Sequence, residues 1–320
     1  MTWIIGLTAG LIVPFAGIYY WQAHALERLS TSLQATVTDT YYKHVEQRTE
    51  ALRAATHQFE GHPEITRALA AGDRGALLAQ SNALFIKLRR EQHITHLYFH
   101  RPNGQNLLRV HLPSRHGDQI RRFTMEEAMR TGKPASGVEL GPLGTLTLHL
   151  VTPWFSEGPE PVLVGYVELG SEVDALFTSM EHTMDAQTFM LIRKELLVRA
   201  SWESGMRTLN REPDWDRFPH FVSTRPSNML PNGLVRFLKK KSWITLGNDT
   251  TILEKGRDFL AVFTPLKGMK GRIVGNLVLL VDTTRQRAFM RQVTWYGGVV
   301  LLLVFMALAL FRVKKGLEID

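Results

Sequence analysis

Thr95–Pro113 reads THLYFHRPNGQNLLRVHLP, and the period of that stretch decides the fold. Apolar and polar side chains alternate on both sides of Pro102-Asn103-Gly104, which is turn chemistry between two strand-like runs. The stretch is therefore read as a β-hairpin. Alternation puts Tyr98 and His100 on one face, with Leu97 and Phe99 on the other. On the returning strand Arg109 and His111 share a face, opposite Leu108, Val110 and Leu112. Across an antiparallel pair the two polar faces meet.

Upstream the period is helical. Leu26, Leu29, Leu33, Val37, Tyr41, Val45, Leu52, Ala55 and Phe59 recur mostly at three- and four-residue spacing, so residues 23–59 are expected to form one long amphipathic helix. At 1.5 Å per residue it would rise roughly 55 Å. Two further helical stretches follow, one with Pro63 near its start and Gly72 at its end, the other opening at Asp73. Downstream of the hairpin comes a short helix around Thr124–Arg130. The strand-like pieces SGVEL, TLTLHLVTPWF and VLVGYVELG then complete about five antiparallel strands. Helices followed by such a meander form an α+β, PAS-like plan.

The second half repeats the ending of the first. HLVTPW and VLVGYVEL in residues 149–169 parallel LAVFTP and RIVGNLVLL in residues 260–280. Each pair is a strand closing in Thr-Pro, a loop, and a strand opened by Val-Gly. Pro and Gly bound strands in many folds, but the shared order points to two related modules in tandem.

The ends of the chain read as membrane spans. Trp3–Ala25 carries no Asp, Glu, Lys or Arg and is long enough for a hydrocarbon core of about 30 Å. A cleavable signal peptide is the rival reading, yet Lys and Arg are missing from the n-region, and Tyr19, Tyr20 and Trp21 form an aromatic girdle. Val293–Phe311 is the second apolar run, opened by Trp295 and Tyr296 and closed against Arg312, Lys314 and Lys315. Those cations mark a cytoplasmic end. Two passes then place both termini in the cytoplasm and residues of about 26–290 in the periplasm. The expected divisions are a span over 1–25, the long helix with a membrane-distal module over 26–175, and a membrane-proximal module over 176–290. A second span over 291–312 and a short tail over 313–320 follow.

Composition narrows the chemistry. The 320 residues are 44% hydrophobic, enough for cores in one or two domains. No cysteine is present, which excludes disulfides, thiolate zinc sites, iron–sulfur clusters and thiol nucleophiles. The net charge of +8 is spread among acidic residues without a recognition helix, so no nucleic-acid partner is expected. Lys239-Lys240-Lys241 reads as a solvated face, or one near anionic headgroups. There is no Walker loop, nucleophile elbow or His-Glu-x-x-His, and neither an enzyme nor a cofactor is read from the sequence.

LYFHRPNGQNLLRVHLPSRHGD (97–118), TGKPASGVELGPLGTLTLHLVTPW and VGYVELGSEVDALF together resemble the double Cache sensor domains of bacterial transmembrane receptors. The likeness rests on His-x-Pro-x-Gly in the first strand and turn, and on Arg-x-His-x-Pro after it. It covers residues 30–290 in plan and 95–175 in specific motifs. The resemblance implies ligand sensing outside the cytoplasm and signalling to a histidine kinase, chemoreceptor or cyclic-dinucleotide enzyme. The sequence departs from the usual pattern in that no linker or output domain follows the second span. Either a separate cytoplasmic partner or a longer receptor is then expected to carry the output.

The candidate ligand site is Tyr98, His100, Arg109, His111, Trp154, Tyr166 and Glu168. Arg109 offers a planar fork for a carboxylate, the two imidazoles donate or accept, and Tyr98 and Trp154 would wall the pocket. Glu168 is expected either to pair with Arg109 or to meet a cationic ligand, and Asp118 to cap a helix or form a turn. A solvent-wet sheet face with no ligand is the plainer alternative. His93 is placed on a strand, facing away from His96 and His100, which weakens a metal site built with His111 or His149. A small, anionic ligand, a lipid bilayer and a homodimer formed through the long helices are the expected partners. A membrane-tethered scaffold that recognises a protein is the competing function.

Overall fold

A computed structural model describes residues 2–317, except 142, 174–176, 178–179, 182–183, 209, 226–228 and 242–248. The expected boundary near residue 175 falls within those exceptions. So do the tail residues from 318 onward and the side chains of Arg312, Lys314 and Lys315.

The amphipathic stripe and the apolar run before it form one unbroken helix, α1 (Thr2–Glu60). Val37, Tyr41, Leu52, Ala55 and Phe59 are buried as the spacing requires. α2 (Pro63–Ala71) starts on proline, whose missing N–H costs nothing in a first turn, and stops at Gly72 with φ of 68°. In α3 (Arg74–Gln92) the Asp73 side chain accepts from Ala76 N at 3.0 Å, satisfying one orphan donor. His93 ends that helix in the left-handed region, with φ of 52°. It is a helix cap and not a strand residue, which corrects the sequence expectation.

Five strands follow: β1 (His96–His100), β2 (Asn106–Arg109), β3 (Ala135–Leu140), β4 (Leu146–Phe155) and β5 (Leu163–Glu172). A short helix, α4 (Phe123–Thr131), sits between β2 and β3. The sheet order is β2-β1-β5-β4-β3, antiparallel throughout. One face carries Leu97, Phe99, Leu148, Leu150, Val167 and Leu169 and packs on the buried sides of α1, α2 and α3. Burying each such side chain contributes about 1.5–3 kcal/mol.

The second sheet consists of β6 (Ala186–Arg193), β7 (Phe221–Ser223), β8 (Thr250–Glu254), β9 (Arg257–Lys267) and β10 (Ile273–Asp282). α5 (Arg199–Thr208) and α6 (Asn232–Lys240) are interleaved with these strands. Its order, β7-β6-β10-β9-β8, is the order of the first sheet. The tandem repeat read in the sequence is thus a repeat of structure. The recurring Val-Gly has a physical cause: a methyl at Gly165 would lie 2.3 Å from His100 O, and at Gly275 2.2 Å from Leu191 O. Both sheets bring a neighbouring carbonyl too close for any side chain.

α7 (Thr284–Leu317) leaves the second sheet and runs beside the start of α1. Within it, Thr284–Phe311 is long and apolar enough to cross a bilayer, with mean hydropathy of 2.2. Gln22 donates to Met290 O at 3.0 Å and to Thr294 Oγ1 at 2.6 Å, fixing the two helices in register.

Candidate functional site

The face of the first sheet opposite α1 is polar yet buried. Cross-strand partners share a face. Tyr98 lies opposite both Arg109 and Glu168, His100 opposite Tyr166, and His149 opposite Gly170 and Gly137. His96, Tyr98, His100, Arg109, His149, Tyr166 and Glu168 therefore project to one side. α4 covers part of that side through an apolar cluster of Ile120, Met125, Ala128, Ala135, Val151 and Tyr166. Glu139 of β3 accepts from Thr124 N at 2.7 Å, tying the start of α4 down beside the polar groups.

Glu168 is the centre of the arrangement and is fully buried. His100 Nε2 lies 2.8 Å from its Oε2, and Arg122 Nη2 lies 2.6 Å from Oε2 and 2.5 Å from Oε1. His149 Nδ1 lies 2.6 Å from Oε1. Burial pushes the Glu168 carboxyl up, but the charges of Arg122 and His149 and bonds from His100 and His149 outweigh it and hold it well below the usual range. Burial pushes His100 down against the pull of Glu168, leaving a neutral ring that donates from Nε2 and faces Asn106 Nδ2 with Nδ1, 3.4 Å away. Arg122 stays charged, since Glu168 offsets the burial that would lower it.

Tyr98 stands between two guanidiniums, with Arg109 Cζ 5.5 Å and Arg122 Cζ 5.1 Å from its ring centre. Its phenol is pushed up by burial and by Glu168. Beside it, the rings of His96 and His111 meet edge to face at 4.7 Å. Burial pushes His111 down to about 4, although the backbone of Leu97 opposes it. Burial, with His111 and His149 nearby, drives His96 well below its ordinary value.

Several sequence expectations are corrected here. Arg109 pairs with Asp118, not Glu168: Nη1 and Nη2 donate to its two carboxylate oxygens at 2.7 and 2.8 Å. Nη1 also reaches Asn106 Oδ1 at 3.0 Å and Arg115 O at 2.9 Å, so Arg109 clamps the loop after β2. Asp118 is thereby more than a turn former. Trp154 lies opposite Gly165 on the other face, inside the main core, where its Nε1 donates to Thr66 Oγ1 at 2.9 Å. It walls no part of the polar site. Among the described residues no group of His, Asp or Glu has the arrangement of a metal centre.

Sequence reasoning missed Arg122, which reaches the site from the residue before α4. Its only signal was a basic pair, Arg121-Arg122, ahead of a short helix. Thr124 was missed as well; its Oγ1 is buried and without a partner, as is Arg122 Nε.

The second sheet supplies a comparison within the chain. Tyr98 and Glu168 lie opposite each other on β1 and β5, as Phe189 and Val278 do on β6 and β10. His100 faces Tyr166 as Leu191 faces Asn276. In the second sheet this face is an apolar core of Phe189, Leu191, Ala261, Phe263, Val278 and Leu280, closed by Leu234, Val235 and Leu238 of α6. Glu168, His100 and His149 of the first sheet thus correspond to Val278, Leu191 and Ala261 of the second, where Asn276 is a buried polar residue on the equivalent face.

Two PAS-like sheets on one long helix, with a polar face of the first buried beneath a short helix, define a double sensory module of the Cache type. A family profile described as "Double sensory domain of two-component sensor kinase" matches residues 27–286, and the chain belongs to that double Cache family. No curated protein matches. Among solved structures, the periplasmic domain of Vibrio cholerae LuxQ is 12% identical with a TM-score of 0.46, covering 76% of this chain and 97% of that one. The sensor domain of V. cholerae histidine kinase DctB is 11% identical with a TM-score of 0.40, covering 79% and 98%. The ligand-binding domain of Pseudomonas fluorescens chemoreceptor CtaA, solved with L-serine, is 13% identical with a TM-score of 0.38, covering 80% and 98%. At such identities and TM-scores none carries an argument about the site.

Proposed function

We propose that the chain is the ligand-sensing part of a bacterial signal-transduction receptor, with residues 26–290 in the periplasm and a span on either side. The ligand is a small molecule carrying a carboxylate, received on the polar face of the first sheet. Two buried polar atoms without hydrogen-bond partners carry the reading, Arg122 Nε and Thr124 Oγ1, set beside the buried Glu168 carboxylate. Orphaned polar atoms in a core cost about 1–3 kcal/mol each, and a ligand that pairs with them recovers that cost. Arg122 and Thr124 suit a carboxylate; Glu168 suits an amine or hydroxyl on the same molecule. Tyr98, His100, His111 and Tyr166 line the face, and Arg109 orders its loop.

The Gln22 bonds to Met290 and Thr294 support the two-pass reading. They set the Tyr19–Trp21 girdle near Trp295 and Tyr296. The message would leave along α1 and α7 to a cytoplasmic output, the chain acting as a dimer. No reaction is assigned to it.

The test is thermal unfolding of the protein against amino acids, carboxylates, phosphates and amines. A ligand at 100 times its dissociation constant adds about 2.7 kcal/mol. A rise for one class, lost in Arg122→Ala, supports the reading. A panel without effect would favour the tethered protein-binding scaffold.

A further inference from the structure

The second module reaches into the face that carries the site. β9 and β10 are joined by a tight turn in which Gly268 N donates to Arg272 O at 2.9 Å and Gly271 N to Gly268 O at 3.2 Å. Met269 is at its tip, in the 3-10 turn Met269–Gly271. Its side chain rests on the bare Cα of Gly137: a methyl there would fall 1.9 Å from Met269 Sδ and 2.9 Å from its Cε. Gly137 lies on the edge strand β3, directly opposite His149. Opposed residues share a face, so the thioether sits on the polar side, next to the imidazole that touches Glu168. A second contact braces the same hairpin, because the ring of Trp202 in α5 lies against Gly144 in the β3–β4 turn.

We infer that Met269 is a positioning residue of the distal site, supplied by the membrane-proximal module. It holds the Gly137–His149 strand pair at the distance that keeps His149 against Glu168. The inference takes the Glu168 face as the ligand site. Occupancy that displaces His149 has to move the β3–β4 hairpin, and the hairpin has Met269 seated on it. An unbranched thioether suits this position, since it follows a shifting wall without losing contact. Of the two facing residues, glycine alone leaves room for it.

The experiment uses the full chain in lipid nanodiscs with carbon-13 methyl-labelled methionine. Met269→Ala assigns the Met269 signal. Met229, in the same module and 58% exposed, is the control. Glu168→Gln and His149→Gln are each expected to displace the Met269 methyl by more than its linewidth and to leave Met229 in place. Gly137→Ala, which fills the socket, is expected to displace it further. A Met269 signal that ignores both site substitutions, or moves only together with Met229, would overturn the inference. Two probes, L-serine and succinate, separate this inference from the functional reading. If Met269 answers Glu168→Gln but neither probe alters any site signal, the coupling stands and an amino-acid or dicarboxylate ligand does not. If a probe alters site signals while Met269 stays silent, the reverse holds.

Discussion

Arg122 straddles the Glu168 carboxylate, its Nη2 lying 2.6 Å from one oxygen and 2.5 Å from the other. The carboxylate has no exposure at all, so its charge depends on this guanidinium. Arg122→Ala is expected to destabilise the protein by about 3–5 kcal/mol, the usual result of leaving a buried charge unpaired. Glu168→Leu combined with Arg122→Met should cost far less than Arg122→Ala alone, because both charges go together. Chemical denaturation of the single and double variants checks this, and equal losses would remove Arg122 as the counter-charge.

Stability should fall as the solution is acidified below neutrality. In an unfolded chain the imidazoles titrate near 6.5. Burial holds His111 at about 4, and burial with two neighbouring imidazoles holds His96 lower than usual. Between those limits the unfolded chain takes up protons that the folded chain refuses, so the midpoint declines as pH drops from about 6.5 towards 4. Arg109 and Arg122 face the same rings and add to the penalty for a further positive charge. Glu168 acts in the same direction, since its depressed pKa contributes stability that is lost as acid reaches it. Unfolding midpoints against pH, repeated in a His96→Gln, His111→Gln protein, should show the slope flatten in the variant.

Gly165→Ala and Gly275→Ala should both be destabilising, each by about 1–3 kcal/mol or more. The obstruction is a carbonyl of the adjacent strand, His100 O in one sheet and Leu191 O in the other, and neither can rotate away. Denaturant midpoints that match the parent protein at either position would mean that the strands can separate without cost.

Asp118→Asn is expected to loosen a loop more than to destabilise the fold. The Arg109–Asp118 pair has a carboxylate that is 43% exposed, and exposed pairs contribute about 1 kcal/mol at most. Hydrogen exchange should quicken at Asn106 and Gly117, whose amides donate within this loop, while β5 stays protected. Unchanged exchange there would assign the loop's order to other contacts.

The hairpin, the helices around it and the repeated Thr-Pro and Val-Gly endings were legible because each is a local pattern with one structural solution. Turn chemistry fixed Pro102–Gly104, and alternation placed Tyr98, His100 and Arg109 on one face. Trp154 was misread for a local reason too: its neighbours establish a strand, but which face of β4 meets α1 depends on pairing with β5. Arg122 was invisible because its importance comes from α4 folding back over the sheet. No period in the sequence states that the basic residue before that helix ends beside Glu168. His93 reads as a strand residue because a left-handed helix cap is normally written with glycine or asparagine.

The shared strand order of the two sheets has a consequence for measurement. One polypeptide holds the same scaffold twice, charged at the Glu168 position in one copy and apolar at the Val278 position in the other. Heat, pressure and denaturant act on both copies, whereas a solute drawn to buried charge would find it at the Glu168 position and not at the Val278 position. Away from Met269, the second sheet would therefore serve as a reference cell built into the molecule, and subtracting its response would leave the part that belongs to chemistry.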